Sequence, residues 1–425
     1  MKKFFTATPS FFVSAAAALA ALVTLAALAA APAARAQSSQ DIQNITKLTT
    51  FNTVSIVIAG DPQLTPLAHQ AFQSHGRYVR VARDGTFTLT FTSVSPTQVR
   101  VDITNAAGAL VASQTATGKD SRDALYRAAD AAVRATGGGN GYFTSRLAFV
   151  GKTADGAAEI HTGDLFLNQV TRVTDQRSTV LTPRWSPDGA KLLYTSFFNS
   201  GFPDIFQLDL VAGRWTVFVN FRGTNMGARY SPDGTRVVMV LTGDNGAPNL
   251  YTTGPDGKGP GPNGQPARLT STSDAKASPC FSPDGSRIVF AMEPGPQLYL
   301  INAAGGAPSR LGTGTGSYAA EPDWSRAKPN LIAFTTKQNG AFRVAVLDIN
   351  TGKSRVITPK DATGAALAGD FIEPNWLPDG RHVVCTQRGP YARSLYILDT
   401  EENSSNRATK ISSGYAEHPS VMAAP

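Results

Sequence analysis

Trp185-Ser186-Pro187-Asp188-Gly189 returns along the chain as Tyr230-Ser231-Pro232-Asp233-Gly234, Phe281-Ser282-Pro283-Asp284-Gly285 and Trp376-Leu377-Pro378-Asp379-Gly380, with a degraded copy at Trp324-Ser325-Arg326. Two residues before the aromatic stands Pro183, Pro279, Pro322 or Pro374, with Ala228 in the remaining copy, and the same register reaches Pro419 and Val421. The six anchors, 185, 230, 281, 324, 376 and 421, are spaced by about 43 to 52 residues. That is the size of a four-stranded sheet repeated around an axis.

The motif chemistry says what each copy does. Pro presets φ for the second position of a type I turn, Asp suits the third, and Gly takes the positive φ that closes a bulged hairpin. An aromatic strand precedes each turn and an apolar one follows: Leu192-Leu193-Tyr194, Val237-Val238-Met239-Val240, Ile288-Val289-Phe290, Ile332-Ala333-Phe334 and Val383-Val384-Cys385. These units predict a mainly β fold, a six-bladed β-propeller over residues 143–425. Blade one has no motif. Residues 146–150 read as its second strand and 164–167 as its third, so its inner strand is predicted to come from the C-terminus at 419–422, which closes the ring and leaves no free sheet edge.

Ahead of the ring, residues 51–136 read as a small α+β domain. Strands are predicted at 54–58, 78–82, 86–91, 99–104 and 109–114, with a short helix at 64–75. The best helix is 121–135, with Leu125, Ala129, Ala132 and Val133 on one face, Ser121 or Asp120 as N-cap and Gly137 past its end. Gly137-Gly138-Gly139-Asn140-Gly141 reads as a flexible joint (linker 137–142). Residues 37–50, polar and without period, are predicted to be a mobile arm. Lys2, Lys3, the apolar run at 11–31 and Ala34-Arg35-Ala36 describe a secretory signal at 1–36 cut after Ala36. The residue after the cut is Gln37 rather than the Cys of a lipoprotein, and no later run is long and apolar enough to span a bilayer. The reading is an exported, periplasmic protein, peripheral to the envelope and monomeric.

Composition narrows the function. Only 16% of residues are charged, whereas there are 39 Gly and 27 Pro, a turn-rich rather than coiled-coil or disordered chain. The net charge of +8 falls by three with the leader, and the basic residues are scattered, which argues against nucleic acid. Cys280 and Cys385 form no metal-spaced cluster and read as buried free thiols. There is no Gly-x-Ser-x-Gly elbow, so a protease related to prolyl oligopeptidase lacks its nucleophile. His69 and His75, six apart, are not a zincin pair and read as a solvated helix edge; His161 and His382 read as packing or surface residues.

One constellation remains. The residues before the aligned prolines, Thr182, Gly227, Ser278, Glu321, Glu373 and His418, occupy one register position just ahead of each inner strand, near the channel. Glu321, Glu373 and His418 stand on neighbouring blades. They read as solvated loop residues, as part of a partner-binding mouth with Thr224, Asn225, Met226, Lys276, Ser278, Tyr318 and Tyr415, or as ligands for Ca²⁺ or Zn²⁺ in a lactonase-type propeller hydrolase.

The leader, the α+β domain and the ring of Trp-Ser-Pro-Asp-Gly units closed by its C-terminus, in that order over residues 41–425, resemble the TolB-like family of the Tol-Pal envelope system. The helix at 121–135 followed by Arg146-Leu147-Ala148-Phe149-Val150 looks like that family's domain junction. The resemblance implies a non-enzymatic adaptor without cofactor, which binds a peptidoglycan-associated, Pal-like lipoprotein at the propeller mouth and an inner-membrane, TolA-like protein through its N-terminal arm.

Overall fold

The computed structural model describes residues 53–242, 246–401 and 407–423; the predicted signal and arm lie outside them. Strands β1 (Val54–Gly60), β2 (Tyr78–Arg80), β3 (Phe87–Ser95), β4 (Gln98–Asn105) and β5 (Leu110–Thr117) form one sheet in the order β2-β1-β3-β4-β5. β1 runs parallel to both neighbours, and β3, β4 and β5 are successive antiparallel hairpins. Burial alternates along β3 and β4, where Leu89, Phe91, Val99, Val101 and Ile103 face inward. Helix α1 (Thr65–Ser74) turns Ala68, Ala71 and Phe72 inward, and α2 (Ser121–Ala135) turns Leu125, Ala128, Ala129, Ala132 and Val133 inward. Asp120 caps α2 by accepting from the Asp123 N–H.

Six four-stranded sheets follow. Their inner strands are Val180–Trp185, Asn225–Tyr230, Lys276–Phe281, Ala319–Trp324 and Asp370–Trp376 in blades two to six, and Ala416–Met422 in blade one. This last strand pairs antiparallel with Arg146–Lys152, Val421 opposite Leu147, so the predicted latch is present. The third strand of blade one is Ala158–Asp164, not 164–167. Asp164 ends it, because its carboxylate accepts the N–H groups of Phe166, Asn168 and Gln169 and turns the chain, while Leu165 and Phe166 drop into the core.

The motif turns work as their residues require. In blade two the Ser186 hydroxyl donates to Asp188 and accepts the Lys191 N–H, and Gly189 sits at φ 69°. The equivalent Asp233 and Asp284 are held down at about 2, chiefly by their serine hydroxyls. The motif aromatics wedge between blades: the indole N–H of Trp185 donates to Ser420 O of blade one, and that of Trp376 to Asp323 O of blade five.

The joint at 137–141 differs from its sequence reading. Tyr142 and Phe143 are buried, and the Asp130 carboxylate of α2 accepts the Phe143 and Thr144 N–H groups and the Thr144 hydroxyl. A Cβ on Gly141 would stand 2.3 Å from Asp130 Oδ1, so this glycine serves close approach rather than freedom. The small domain sits on the motif-turn face over blades six and one, and one apolar cluster runs from Phe72, Leu125 and Phe143 into Leu147, Leu377 and Ile397. Residues from Thr53 onward form one compact unit.

Deleting residues 416–423 removes a whole ladder at about 1 kcal/mol per bond and reopens the ring. Differential scanning calorimetry should show a large fall in melting temperature or no cooperative transition; an unchanged transition would refute the latch.

Candidate functional site

All six register residues lie inside the inner strands, not in loops ahead of them. Each takes a left-handed conformation: Thr182 φ 46°, Gly227 66°, Ser278 51°, Glu321 53°, Glu373 58° and His418 53°. At each one the pairing with the second strand slips by a residue. In five blades a proline follows, which has no N–H for the ladder and is tolerated within a strand only at a bulge; blade three has Ala228 there and makes the same slip with Gly227 in the left-handed conformation.

The bulges aim three side chains along the ring. Glu321 Oε2 accepts the Thr335 hydroxyl at 2.6 Å and the Glu373 N–H of the next blade at 3.1 Å. Glu373 Oε2 in turn accepts the Thr386 hydroxyl at 2.9 Å and the His418 N–H at 3.1 Å, while Oε1 pairs with His418 Nδ1 at 2.5 Å. Burial and the neighbouring Glu373 carboxylate push Glu321 up to about 7. Burial would raise Glu373 too, but the His418 imidazolium holds it below its usual value; burial would lower His418, and Glu373 holds it above. The three groups staple blades five, six and one, and the solvated-loop reading is corrected. The His418 imidazolium thus pairs with Glu373 across the seam between blades six and one.

A second layer lies one turn towards the motif face. Arg229 of blade three reaches Asp323 of blade five at 2.7 Å, and Asp323 also accepts the Trp376 N–H. Cys280 lies between them, buried and free, its thiol pushed up chiefly by burial. Arg184 donates to Pro183 O and Pro419 O, and burial, then Arg229, lowers it to about 9. These side chains line a cavity of about 520 Å³ that opens on the motif-turn face.

Around the opposite mouth the other sequence candidates divide. Asn225 is fully buried and its amide donates to Pro203 O, Phe221 O and Gly223 O; Lys276 is buried and its ammonium caps Thr272 and Asp274. Asn225 ties its loop to the Pro203–Asp204 edge of blade two, Lys276 braces its own loop, and neither presents a head group to the mouth. Met226 packs into the core between blades three and four, and Thr224 N–H donates to the Thr242 hydroxyl. Tyr318 and Tyr415 are half-buried at the rim. Tyr318 meets Phe342 edge-on at 4.9 Å, and Arg388, paired with Asp370 at 3.1 Å, lies over the same Phe342 ring. Tyr415 donates to Glu417, lies under Lys152 at 4.6 Å, and Glu417 pairs with Arg393. Phe342, Arg388, Lys152 and Arg393 are absent from the sequence candidates because they sit at second- and third-strand ends, which carry no motif, and Glu417 because it stands one place before the register residue of the last inner strand.

The solvated-edge reading of His75 is corrected, and His382 packs. His75 and His382 are both fully buried, their rings 4.7 Å apart where the small domain meets blade six. Blade six has Leu377 where other blades have the motif serine, so Asp379 bonds His382 Nδ1 instead, at 2.5 Å. Those two atoms are too close to be separate ligands of one tetrahedral ion, whose donors stand about 3.3 Å apart at ordinary bond lengths.

Fold and site define a six-bladed propeller latched by its C-terminus and carrying an α+β domain on its motif-turn face. The family profile described as "TolB beta propeller domain" matches residues 134–366, more than half of the chain. The chain therefore belongs to the TolB β-propeller family. It is 38% identical over 94 residues to the Tol-Pal system protein TolB of Roseobacter denitrificans, 21% of each chain, and 37% identical over 92 residues to that of Cereibacter sphaeroides, 21% of this chain and 20% of the relative. The match thus spans about a fifth of these curated relatives. The crystal structure of TolB from Acinetobacter baumannii superposes with a TM-score of 0.74 at 23% identity, covering 87% of this chain and 97% of that one, and so shares the fold.

Two substitutions test the bulges. A β-branched residue in left-handed backbone costs about 1–2 kcal/mol, partly offset by the unfolded-state freedom of glycine, so Thr182→Gly should stabilise by about 0.5–1 kcal/mol. Gly227→Thr should destabilise, although a Cβ there would have room, its nearest neighbour being Pro279 at 3.6 Å. Thermal melts of both variants check this. Because the folded ring holds the Glu321 proton more tightly than the unfolded chain, its contribution is intact below about 4.5 and is lost as pH rises through about 7. Glu321→Gln, which keeps the acceptor oxygen, should melt higher than wild type at pH 8 and converge with it at pH 5.

Proposed function

We propose that this chain is a non-enzymatic periplasmic adaptor of a Tol-Pal system, a monomer that offers the mouth away from the small domain to a peptidoglycan-associated, Pal-like lipoprotein, while its N-terminal arm serves a TolA-like inner-membrane protein. The observation that carries this reading is the rim of blades five, six and one, where Tyr318, Phe342 and Tyr415 are held by ring and cation contacts on a stapled stretch of the ring. Rigid aromatics of this kind supply contact area at little entropic cost and are common interface anchors. Family membership supports it, as does the use of Glu321, Glu373 and His418 in bonds to protein groups. The channel carboxylates hold blades together, so reversing their charge would disturb the ring, and the rim tyrosines are the better test.

The double variant Tyr318→Ala with Tyr415→Ala should weaken binding of the purified lipoprotein ectodomain at least tenfold, by calorimetric titration, while the melting temperature moves by no more than a few degrees. Unchanged affinity would refute the mouth, and an absence of binding by the wild-type chain would refute the adaptor reading.

A further inference from the structure

His75 closes helix α1 and is carried by the small domain into the turn region of blade six. Its ring stacks on Tyr142 at 5.5 Å and meets Tyr78, Phe143 and His382 edge-on. Nδ1 faces the Arg77 N–H at 3.4 Å, whereas the buried Nε2 has no hydrogen-bond partner. The charged and titratable groups around it come from every packed element. Arg77 and Tyr78 stand on its own domain, Tyr142 on the linker, Asp379, Arg381 and His382 on the blade-six hairpin, and Asp399 on that blade's third strand.

Neither acid is available to His75. Asp379 accepts His382 Nδ1 and the Arg381 and His382 N–H groups. Asp399 is gripped by Arg381 at 2.9 and 2.7 Å and accepts the Glu401 N–H, and it approaches His75's neighbour Gly76 so closely that a Cβ there would clash with it. A proton added to His75 would therefore sit in an apolar cage facing Arg77, Arg381 and His382, with both carboxylates already committed. Undocking would return the ring to water.

We infer that His75 is a proton-operated catch: the small domain is seated on blade six while His75 is neutral, and acidification of the medium loosens it. Burial, then His382, Arg381 and Arg77, hold the docked imidazole well below its ordinary value of 6.5. The docked state thus binds fewer protons than the undocked one. Docking is at full strength above about pH 6.5 and weakens about tenfold for each unit below it, until the docked value is reached. Asp130, raised by burial, faces the linker and not this ring; it accepts the Phe143 and Thr144 N–H groups, so those two amides report its titration and not that of His75.

The test is hydrogen–deuterium exchange on the full chain between pH 8.5 and 5.5, with intrinsic rates divided out, read at residues 75–78. The wild-type protein should show constant protection above pH 7.5 and about a tenfold loss between pH 6.5 and 5.5. His75→Phe, which keeps a ring against Tyr142 and cannot ionise, should stay flat. Constant wild-type protection, or a parallel loss in His75→Phe, would overturn the catch, as would one equivalent of Zn²⁺ bound by the wild-type protein through this histidine. Should His75→Phe fail to fold, NMR titration of the wild-type His75 ring decides. A ring still neutral at about pH 5 supports the catch, and titration near 6.5 overturns it.

Discussion

The pairing of Ala416–Met422 with Arg146–Lys152 is the contact on which the other blades depend. Each blade buries its apolar face only against its neighbours, so a ring with one seam open exposes two faces and two strand edges at once. Closure turns a stack of separately marginal sheets into one cooperative body. It also fixes which residues meet in the channel, since His418 reaches Glu373 only because the last strand completes blade one.

The bulges give the channel its second constraint. The inner strands slip in register ahead of a proline in five blades and of Ala228 in the sixth, the slip goes with a left-handed residue, and that backbone aims the side chain at the next blade. Where the residue is Glu it becomes a staple; only where it is Gly227 is the position free of the left-handed penalty. Charge in this channel therefore has a structural use before it has a functional one. The rim tyrosines, by contrast, hold up no strand, and their exposure is what a docking surface needs.

Legibility followed the range of the cause. The turn motif, the six units and the latch were readable because Ser-Pro-Asp-Gly acts within five residues and its spacing repeats. The αL geometry was present as the recurring proline, yet it was read as a strand start because its effect depends on pairing with a second strand. His75 was read as solvated from its helix spacing to His69, and only docking onto a distant hairpin buries it. Register alone places Asn225 and Lys276 at the mouth, and side-chain bonds turn them away, to the edge of blade two for Asn225 and within its own loop for Lys276. The end of blade one's third strand shifted because Asp164 forms a local turn that a hydrophobic pattern does not reveal.

The latch also bears on the order in which the molecule can be completed. A chain made from its N-terminus produces the small domain and the outer three strands of blade one long before residue 416 exists. Those strands must wait, with the edge of Arg146–Lys152 bare, while five further sheets are assembled beside them. Until the final few residues arrive, no amount of correct local folding yields the finished ring, so an unfinished or C-terminally clipped chain presents a free β edge to any partner that would add a strand.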